Sequence, residues 1–155
     1  MMNFTDALTR AHRALVIFPE LPDENESVLA LLRFLQRKFS SDSLTLLLRD
    51  EQLPAIPPSP KMKTLAYSSR DINPWFLPRR KLVAKMKKNA FDVAVDLNIG
   101  LSLPGAFLCK ASNAPLRVSF VKPGGDRFYN FQIKTTGSTN KTISYRNFLR
   151  CLDMF

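Results

Sequence analysis

The residues best suited to chemistry in this sequence are carboxylates and amides that follow short apolar runs. The run FDVAVDLN, residues 91–98, ends in Asp96 and Asn98, and Glu24 comes a few residues after the run ALVIF, residues 14–18. Ligands of open α/β sheets bind outside the carboxyl ends of the strands. We therefore expect Asp96 and Glu24 to face one edge of a sheet, where carboxylates could serve as bases. The more ordinary alternative is that Asp96 caps the turn that follows it.

The junction after the first apolar run argues against a phosphate-binding loop. It reads FPELPDENES, with two prolines, no glycine and the four acids Glu20, Asp23, Glu24 and Glu26. Dinucleotide and P-loop sites need glycines there, so that backbone amides can approach phosphate. We expect no NAD, FAD or ATP at this junction, and no cofactor elsewhere. The acids have two readings, as charges that favour a helix start or as a base or ligand group.

Histidine and cysteine offer little support for a metal or a nucleophile. His12 is the one histidine, and there is no HExxH or CxxC pattern. The two cysteines, Cys109 and Cys151, are far apart and are expected to be buried free thiols. We therefore predict no metal site and no Ser-His or Cys-His catalytic pair.

One segment combines aromatic residues with positive charge. INPWFLPRRKLVAKMKKN places Trp75 and Phe76 just before a predicted basic helix. Its six bases are Arg79, Arg80, Lys81, Lys85, Lys87 and Lys88. Aromatics beside bases can stack nucleobases and hold phosphates. Alternatively, the two aromatic rings pack under the loop and the bases form a solvated helix face, which is the commoner arrangement.

Net charge points toward anionic partners without choosing among them. The 155 residues carry a formal charge of +10, and 45% of them are apolar, enough for a packed core. Residues 1–52 sum to −2 and residues 53–155 to +12. Such a field attracts nucleic acid, acidic head groups or phosphorylated ligands. No run approaches about 18 apolar residues and no signal-peptide pattern opens the chain, so we expect a cytoplasmic protein without a membrane span.

The pattern of elements predicts how these residues are held. Short apolar runs alternate with helical periodicity, which is typical of crossover units and a mainly parallel sheet. We predict one domain over residues 1–155, a three-layer Rossmann-like α/β fold in which ALVIF, SLTLLL and FDVAVDL are parallel neighbours. Predicted strands cover 14–18, 43–49, 63–69, 91–97, 116–121 and 128–135. Predicted helices cover 3–12, 26–39, 79–90, a stretch from about 103, and 144–155. The prolines at 54, 57, 58 and 60 are expected to exclude regular structure.

The order of these runs resembles a known family. RALVIF, SVLALLRFLQRKF and SLTLLLRD, followed by FDVAVDLN and PGAFLCKASNAPLRVSF, look like the N-terminal domain of glycosyltransferase family nine, the heptosyltransferase-like group. A group of small single-domain bacterial proteins is also similar, including the stretch DINPWFLP. The resemblance implies half of a two-domain GT-B architecture. It also implies a Gly-Asp pair after the first strand, whose Asp is the base. That pair is missing here; Glu24 stands nearest the Asp, with Asp23 in the glycine position.

Three functions follow as expectations. The leading one is a glycosyltransferase-like domain that lacks the nucleotide-sugar half, is non-catalytic alone, and binds an anionic ligand or a partner protein. In it, Asp23 and Asn98 are candidate ligand-binding residues. The second is a nucleic-acid-binding module that uses the basic region 79–88. The third is a complete small enzyme, a glycosyltransferase if active, that acts through Glu24 and Asp96.

Overall fold

The computed structural model describes residues 3–20, 25–39, 44–57, 59, 62–135 and 140–154. Strands in chain order are β1 Ala14–Ile17, β2 Leu44–Arg49, β3 Met62–Tyr67, β4 Val93–Asp96, β5 Leu116–Phe120 and β6 Phe131–Ile133. Helices are α1 Phe4–Arg10, α2 Asn25–Lys38, α3 Arg80–Lys88, α4 Leu103–Ala111 and α5 Lys141–Asp153. Every predicted strand and helix therefore has a counterpart, with most ends moved by a few residues.

The strands form one parallel sheet in the order β3-β2-β1-β4-β5-β6. β1 pairs in parallel with β2 on one side and with β4 on the other, so the three runs predicted to be neighbours are neighbours. Helix α2 is the crossover between β1 and β2, as its apolar positions at i, i+3, i+4 and i+7 predicted. The predicted α/β Rossmann-like fold is confirmed.

Alternating side chains of β1 divide the core into two halves. Ala14 and Val16 pack with α1, α2 and α5 on one face of the sheet. Leu15 and Ile17 pack with α3 and α4 on the other. All four residues are buried, as expected for a central parallel strand covered on both faces. The result is the three-layer arrangement predicted from the sequence.

Two local expectations were wrong. Residues Asp50–Ala55 form a 3-10 helix that contains Pro54, although the prolines were expected to exclude regular structure. Pro54 is the fifth of the six residues, so its missing amide removes one internal bond, while the amide of Ile56 still donates to the carbonyl of Leu53 at 3.1 Å and closes the end of the helix. The last strand begins at Phe131 rather than 128, because a 3-10 turn at Gly125–Arg127 continues into Phe128 and Tyr129, whose amides both bond to the carbonyl of Gly125.

Candidate functional site at the carboxyl edge of the sheet

A cleft lies where the chain reverses its direction of travel across the sheet, between β1 and β4. Its volume is about 240 Å³. Pro19 and Glu20, which follow β1, line one side, and residues 98–102, which follow β4, line another. Lys141 and Tyr145 of α5 complete the lining. This is the switch point at which open α/β sheets place their ligands.

The exits of β1 and β4 are bonded to each other. The amide of Glu20 donates to Asn98 Oδ1 at 2.9 Å, and the amide of Leu97 donates to the carbonyl of Ile17 at 3.0 Å. Tyr145 reaches the same point from α5, because its hydroxyl donates to the carbonyl of Leu97 at 3.0 Å. The floor of the cleft is therefore held from three elements.

Glu20 is fixed by an ion pair. Its carboxylate lies 3.0 Å from the guanidinium of Arg49, the last residue of β2, and both side chains are partly exposed. The bond to Glu20 raises the pKa of Arg49, against the lowering effect of burial. Gln52 donates to the carbonyl of Pro19 at 2.8 Å and accepts from the amide of Arg49, so the 3-10 helix after β2 also fixes this loop.

Asp96 lies beneath the cleft as a fully buried acceptor. Its Oδ1 accepts from the backbone amide of Asn98 at 2.9 Å and from the amide side chain of Asn98 at 2.8 Å. Its other oxygen accepts from the hydroxyl of Tyr129. Burial, followed by the negative charge of Asp96, raises the pKa of Tyr129 far above its ordinary value. The turn-capping contact expected of Asp96 is thus present, and Asn98 carries the network into the cleft.

Lys122 supports the cleft from behind. Its ammonium donates to the carbonyl of Asn98 at 2.7 Å and to the carbonyl of Gly100 at 3.2 Å, and it lies over the ring of Tyr129. Burial lowers the pKa of Lys122, and the nearby carboxylate of Asp96 partly counters that effect. A buried cation thus holds two carbonyls of the loop that lines the cleft.

Gly105 allows helix α4 to approach this network closely. A Cβ at that position would lie 3.1 Å from Asn98 Nδ2 and 3.3 Å from Asp96 Oδ2. Ser102 caps the start of the helix, and its hydroxyl accepts from the amide of Gly105. The amino end of α4 is therefore held directly against the loop after β4.

A second concavity lies beside the first, at the ends of β2 and β3. It has a volume of about 400 Å³ and is lined by Arg49, Asp50, Glu51, Tyr67, Ser68 and Ser69. Burial, and next the carboxylate of Glu20, raises the pKa of Tyr67 to about 12. The Glu20–Arg49 pair therefore separates two depressions on the same sheet edge.

The structure describes two of the four residues that the sequence predicted for this site. Asp96 accepts a bond from the side chain of Asn98, and Asp96 lies below the cleft with Asn98 in its wall. Asp23 and Glu24 lie outside the described residues. The sequence did not predict that Arg49, Lys122 and Tyr129 hold the loops of the site. Neither the KPGG turn that contains Lys122 nor an arginine at the end of a strand indicates a contact with a distant loop.

Neither the two cysteines nor the other possible metal ligands form a second candidate site among the described residues. Cys109 is buried as predicted, while Cys151 is only half-buried; both are free. Burial, and next the charge of Asp96, raises the pKa of Cys109, which keeps it a thiol. In the described part of the chain, no group of three or more His, Cys, Asp or Glu residues is placed to hold a metal ion.

The basic segment is exposed, and so are its aromatics. All six predicted surface bases are exposed: Arg79, Arg80, Lys81, Lys85, Lys87 and Lys88. Trp75 is 74% exposed and Phe76 64%, so the expectation that both rings pack under the loop was wrong. The loop is closed by its own backbone and by Asn73, and needs no aromatic core.

Among the solved structures that share this fold are three glycosyltransferases. A glycosyl transferase of family 9 from Veillonella parvula superposes with a TM-score of 0.69 at 13% identity, over 93% of this chain and 42% of that one. E. coli heptosyltransferase WaaC with ADP gives 0.59 at 14%, over 90% and 46%. E. coli ADP-heptose lps heptosyltransferase II gives 0.52 at 22%, over 70% and 30%.

These likenesses establish the fold and confirm the resemblance predicted from the sequence. This chain spans less than half the length of each of the three proteins. No family model matches the sequence. No curated protein matches it either. Among the described helices, none has the length and apolar character needed to cross a bilayer.

Proposed function

We propose that the chain is a glycosyltransferase-like domain whose switch-point cleft binds a small anionic ligand of the sugar-phosphate class. The observation that carries this proposal is the position of the cleft, outside the carboxyl ends of β1 and β4, in a fold shared with three glycosyltransferases. One of those proteins is named for ADP-heptose, a sugar joined to phosphate. A phosphorylated sugar is therefore the first ligand class to test.

The charges around the cleft favour an anion. Lys141 lines it, and the amino end of α4 at Ser102 adds the positive end of a helix dipole. Glu20 also lines it, but its carboxylate is paired with Arg49. Lys122 places a further cation behind the wall.

We also propose that the 155-residue chain alone does not transfer sugar. A general base must reach the proton that it removes. Asp96 is fully buried and its oxygens accept bonds from Asn98 and Tyr129, while Glu20 is held by Arg49. Both carboxylates are therefore engaged by other side chains, and the sequence lacks the Gly-Asp pair that the family has after its first strand.

The binding test measures, by titration calorimetry, the affinity of the purified chain for each member of a panel of sugar 1-phosphates. We expect saturable binding that Lys141→Ala weakens about tenfold, as loss of one charge-assisted bond does. Lys134→Ala is the matched control, because Lys134 is exposed just after β6 and does not line the cleft. Absence of saturable binding across the panel, or equal affinity of the two variants, contradicts the proposed ligand site.

A transfer assay with ADP-heptose tests the second part of the proposal. We expect no turnover by the isolated chain. Turnover that is lost in Glu24→Gln and retained in Glu26→Gln would overturn this proposal and assign Glu24 as the base.

A further inference from the structure

The most exposed aromatic pair of the described chain lies in the loop between β3 and α3. Trp75 and Phe76 are consecutive residues with 74% and 64% of their surface exposed. Two large neighbouring rings are seldom exposed on a surface with no further role, because burying an aromatic ring stabilises a protein more than burying an aliphatic side chain does.

The loop that carries them is built to keep them outside. Asn73 Oδ1 accepts from the amides of Trp75 at 2.9 Å and Leu77 at 3.0 Å, and the amide of Asn73 donates to the carbonyl of Leu77 at 2.8 Å. Phe76 has a φ of +65°, a left-handed conformation that non-glycine residues adopt at a cost. An isolated β-bridge between Ile72 and Pro78 closes the base of the loop.

An apolar groove continues from the loop along the outer side of α3 and α4. Its volume is about 340 Å³, and Leu77, Pro78, Val83 and Phe107 form its apolar wall. Lys87 and Lys110 stand in the same lining. The combination of apolar wall and cationic rim matches an amphiphile with an acyl chain and an anionic head group.

Charge on this face is of one sign. Between Asp71 and Asp92 the sequence has six bases and no acid, and α4 adds Lys110 without an acid. Lys81 and Lys85 are exposed one turn apart on α3. The opposite layer has acids as well as bases, for example Glu26 as well as Arg33 and Arg37 on α2. The positive excess of the protein is therefore concentrated around the aromatic loop and α3.

We propose that this face, defined by Trp75, Phe76, the groove and the bases of α3, docks onto an anionic lipid bilayer. Trp75 and Phe76 enter the boundary between head groups and acyl chains, where aromatic rings are favoured. Lysines and arginines of α3 contact the anionic head groups. Single-stranded nucleic acid is a poorer fit, because the groove wall is aliphatic as well as aromatic and has one polar uncharged side chain, Asn113, for base edges.

The test uses Trp75 itself, the one tryptophan of the chain, as a fluorescent probe. Vesicles of phosphatidylglycerol and phosphatidylcholine are compared with vesicles of phosphatidylcholine alone, by co-sedimentation and emission spectra. We expect binding to the anionic vesicles with a blue shift of Trp75, and at least tenfold weaker binding to neutral ones. Phe76→Asn, which suits the left-handed conformation, and Trp75→Ala each weaken binding about tenfold, as loss of one buried ring predicts.

Two matched charge-reversal variants distinguish an effect of this face from an effect of net charge. Lys81→Glu/Lys85→Glu on α3 and Arg33→Glu/Arg37→Glu on α2 change net charge equally, and each pair spans one helical turn. We expect only the first to abolish binding, with both variants folded by circular dichroism. Equal loss in the two variants, no binding to anionic vesicles, or an unshifted Trp75 emission overturns the proposal. If the protein binds a single-stranded oligonucleotide with a change in Trp75 emission, and does not bind vesicles, the face is assigned to nucleic acid instead.

Discussion

The ammonium of Lys122 donates to the backbone carbonyl of Asn98 across 2.7 Å, joining the loop after β5 to the loop after β4. The lysine is almost fully buried, and a second bond reaches the carbonyl of Gly100 at 3.2 Å. Two loops 24 residues apart in the chain are thereby held in one geometry at the wall of the cleft. Several consequences of this network can be measured.

Lys122→Met keeps the aliphatic stem and removes the donor. We expect the free energy of unfolding to fall by about 2 kcal/mol, because two carbonyls lose a charged partner. Ligand affinity falls as well, since residues 98–102 line the cleft. Urea unfolding checks this, with the exposed Lys134→Met expected to stay within about 0.5 kcal/mol of the parent. Unchanged stability of Lys122→Met contradicts a supporting role for the lysine.

Asp96 and Tyr129 form the second measurable pair. Asp96→Ala leaves the hydroxyl of Tyr129 and the amide of Asn98 without their buried acceptor, so we expect a loss of about 3 kcal/mol. Asp96→Asn retains one acceptor oxygen and loses less. In a double-mutant cycle with Tyr129→Phe, we expect a coupling of about 1 kcal/mol or more. Additive effects contradict the bond between Asp96 and Tyr129, and Asp96 variants that melt above the parent contradict the capping role.

Gly105 tests the close approach of α4. In an ordinary helix, Gly→Ala stabilises by up to about 1 kcal/mol. Here the new methyl group would lie 3.1 Å from Asn98 Nδ2 and 3.3 Å from Asp96 Oδ2, so we expect Gly105→Ala to destabilise by about 1 kcal/mol. Gly100→Ala is the control, because nothing lies within 4 Å of its added Cβ. Its melting temperature is expected to be unchanged or slightly raised. A higher melting temperature in both variants means that Asp96 and Asn98 move to accommodate the methyl group without a cost in stability.

Stability should fall at alkaline pH through the buried tyrosines. The pKa of Tyr67 rises from 10.0 to about 12 on folding, and that of Tyr129 rises further. The folded state therefore keeps protons that the unfolded state has lost, and this stabilising contribution is present below pH 10 and lost as pH rises toward 12. Lys122 has a lowered pKa, so its contribution has the opposite sign and grows with pH up to its unfolded value of 10.5.

Thermal melts between about pH 8 and pH 12 distinguish these groups. We expect the melting temperature to drop above pH 10 and Tyr67→Phe to make that drop shallower. Lys122→Met should remove the opposing rise below pH 10.5. A melting temperature that is flat from pH 10 to pH 12 in the parent protein contradicts the buried state of the two hydroxyls.

Local pattern was enough to predict the sheet. The apolar run ALVIF predicts a strand that is buried on both faces, and the spacing of Val28, Leu31, Leu32 and Leu35 predicts a helix that is buried on one face. Alternation of such units then implies parallel pairing, and the position of Asp96 at a strand end follows from the same count. The cap from Asp96 to Asn98 is also local, because the two residues are two positions apart.

Contacts between distant loops were decided by the tertiary structure alone. Lys122, Tyr129 and Arg49 reach Asn98, Asp96 and Glu20 across separations of 24 to 33 residues, and no periodicity encodes such pairs. Exposure of Trp75 and Phe76 was not predicted either, although the bonds that close their loop are local, from the amides of Trp75 and Leu77 to Asn73. Hydrophobic pattern specifies which face of an element is buried; which side chains meet at an edge depends on how the sheet brings the loops together.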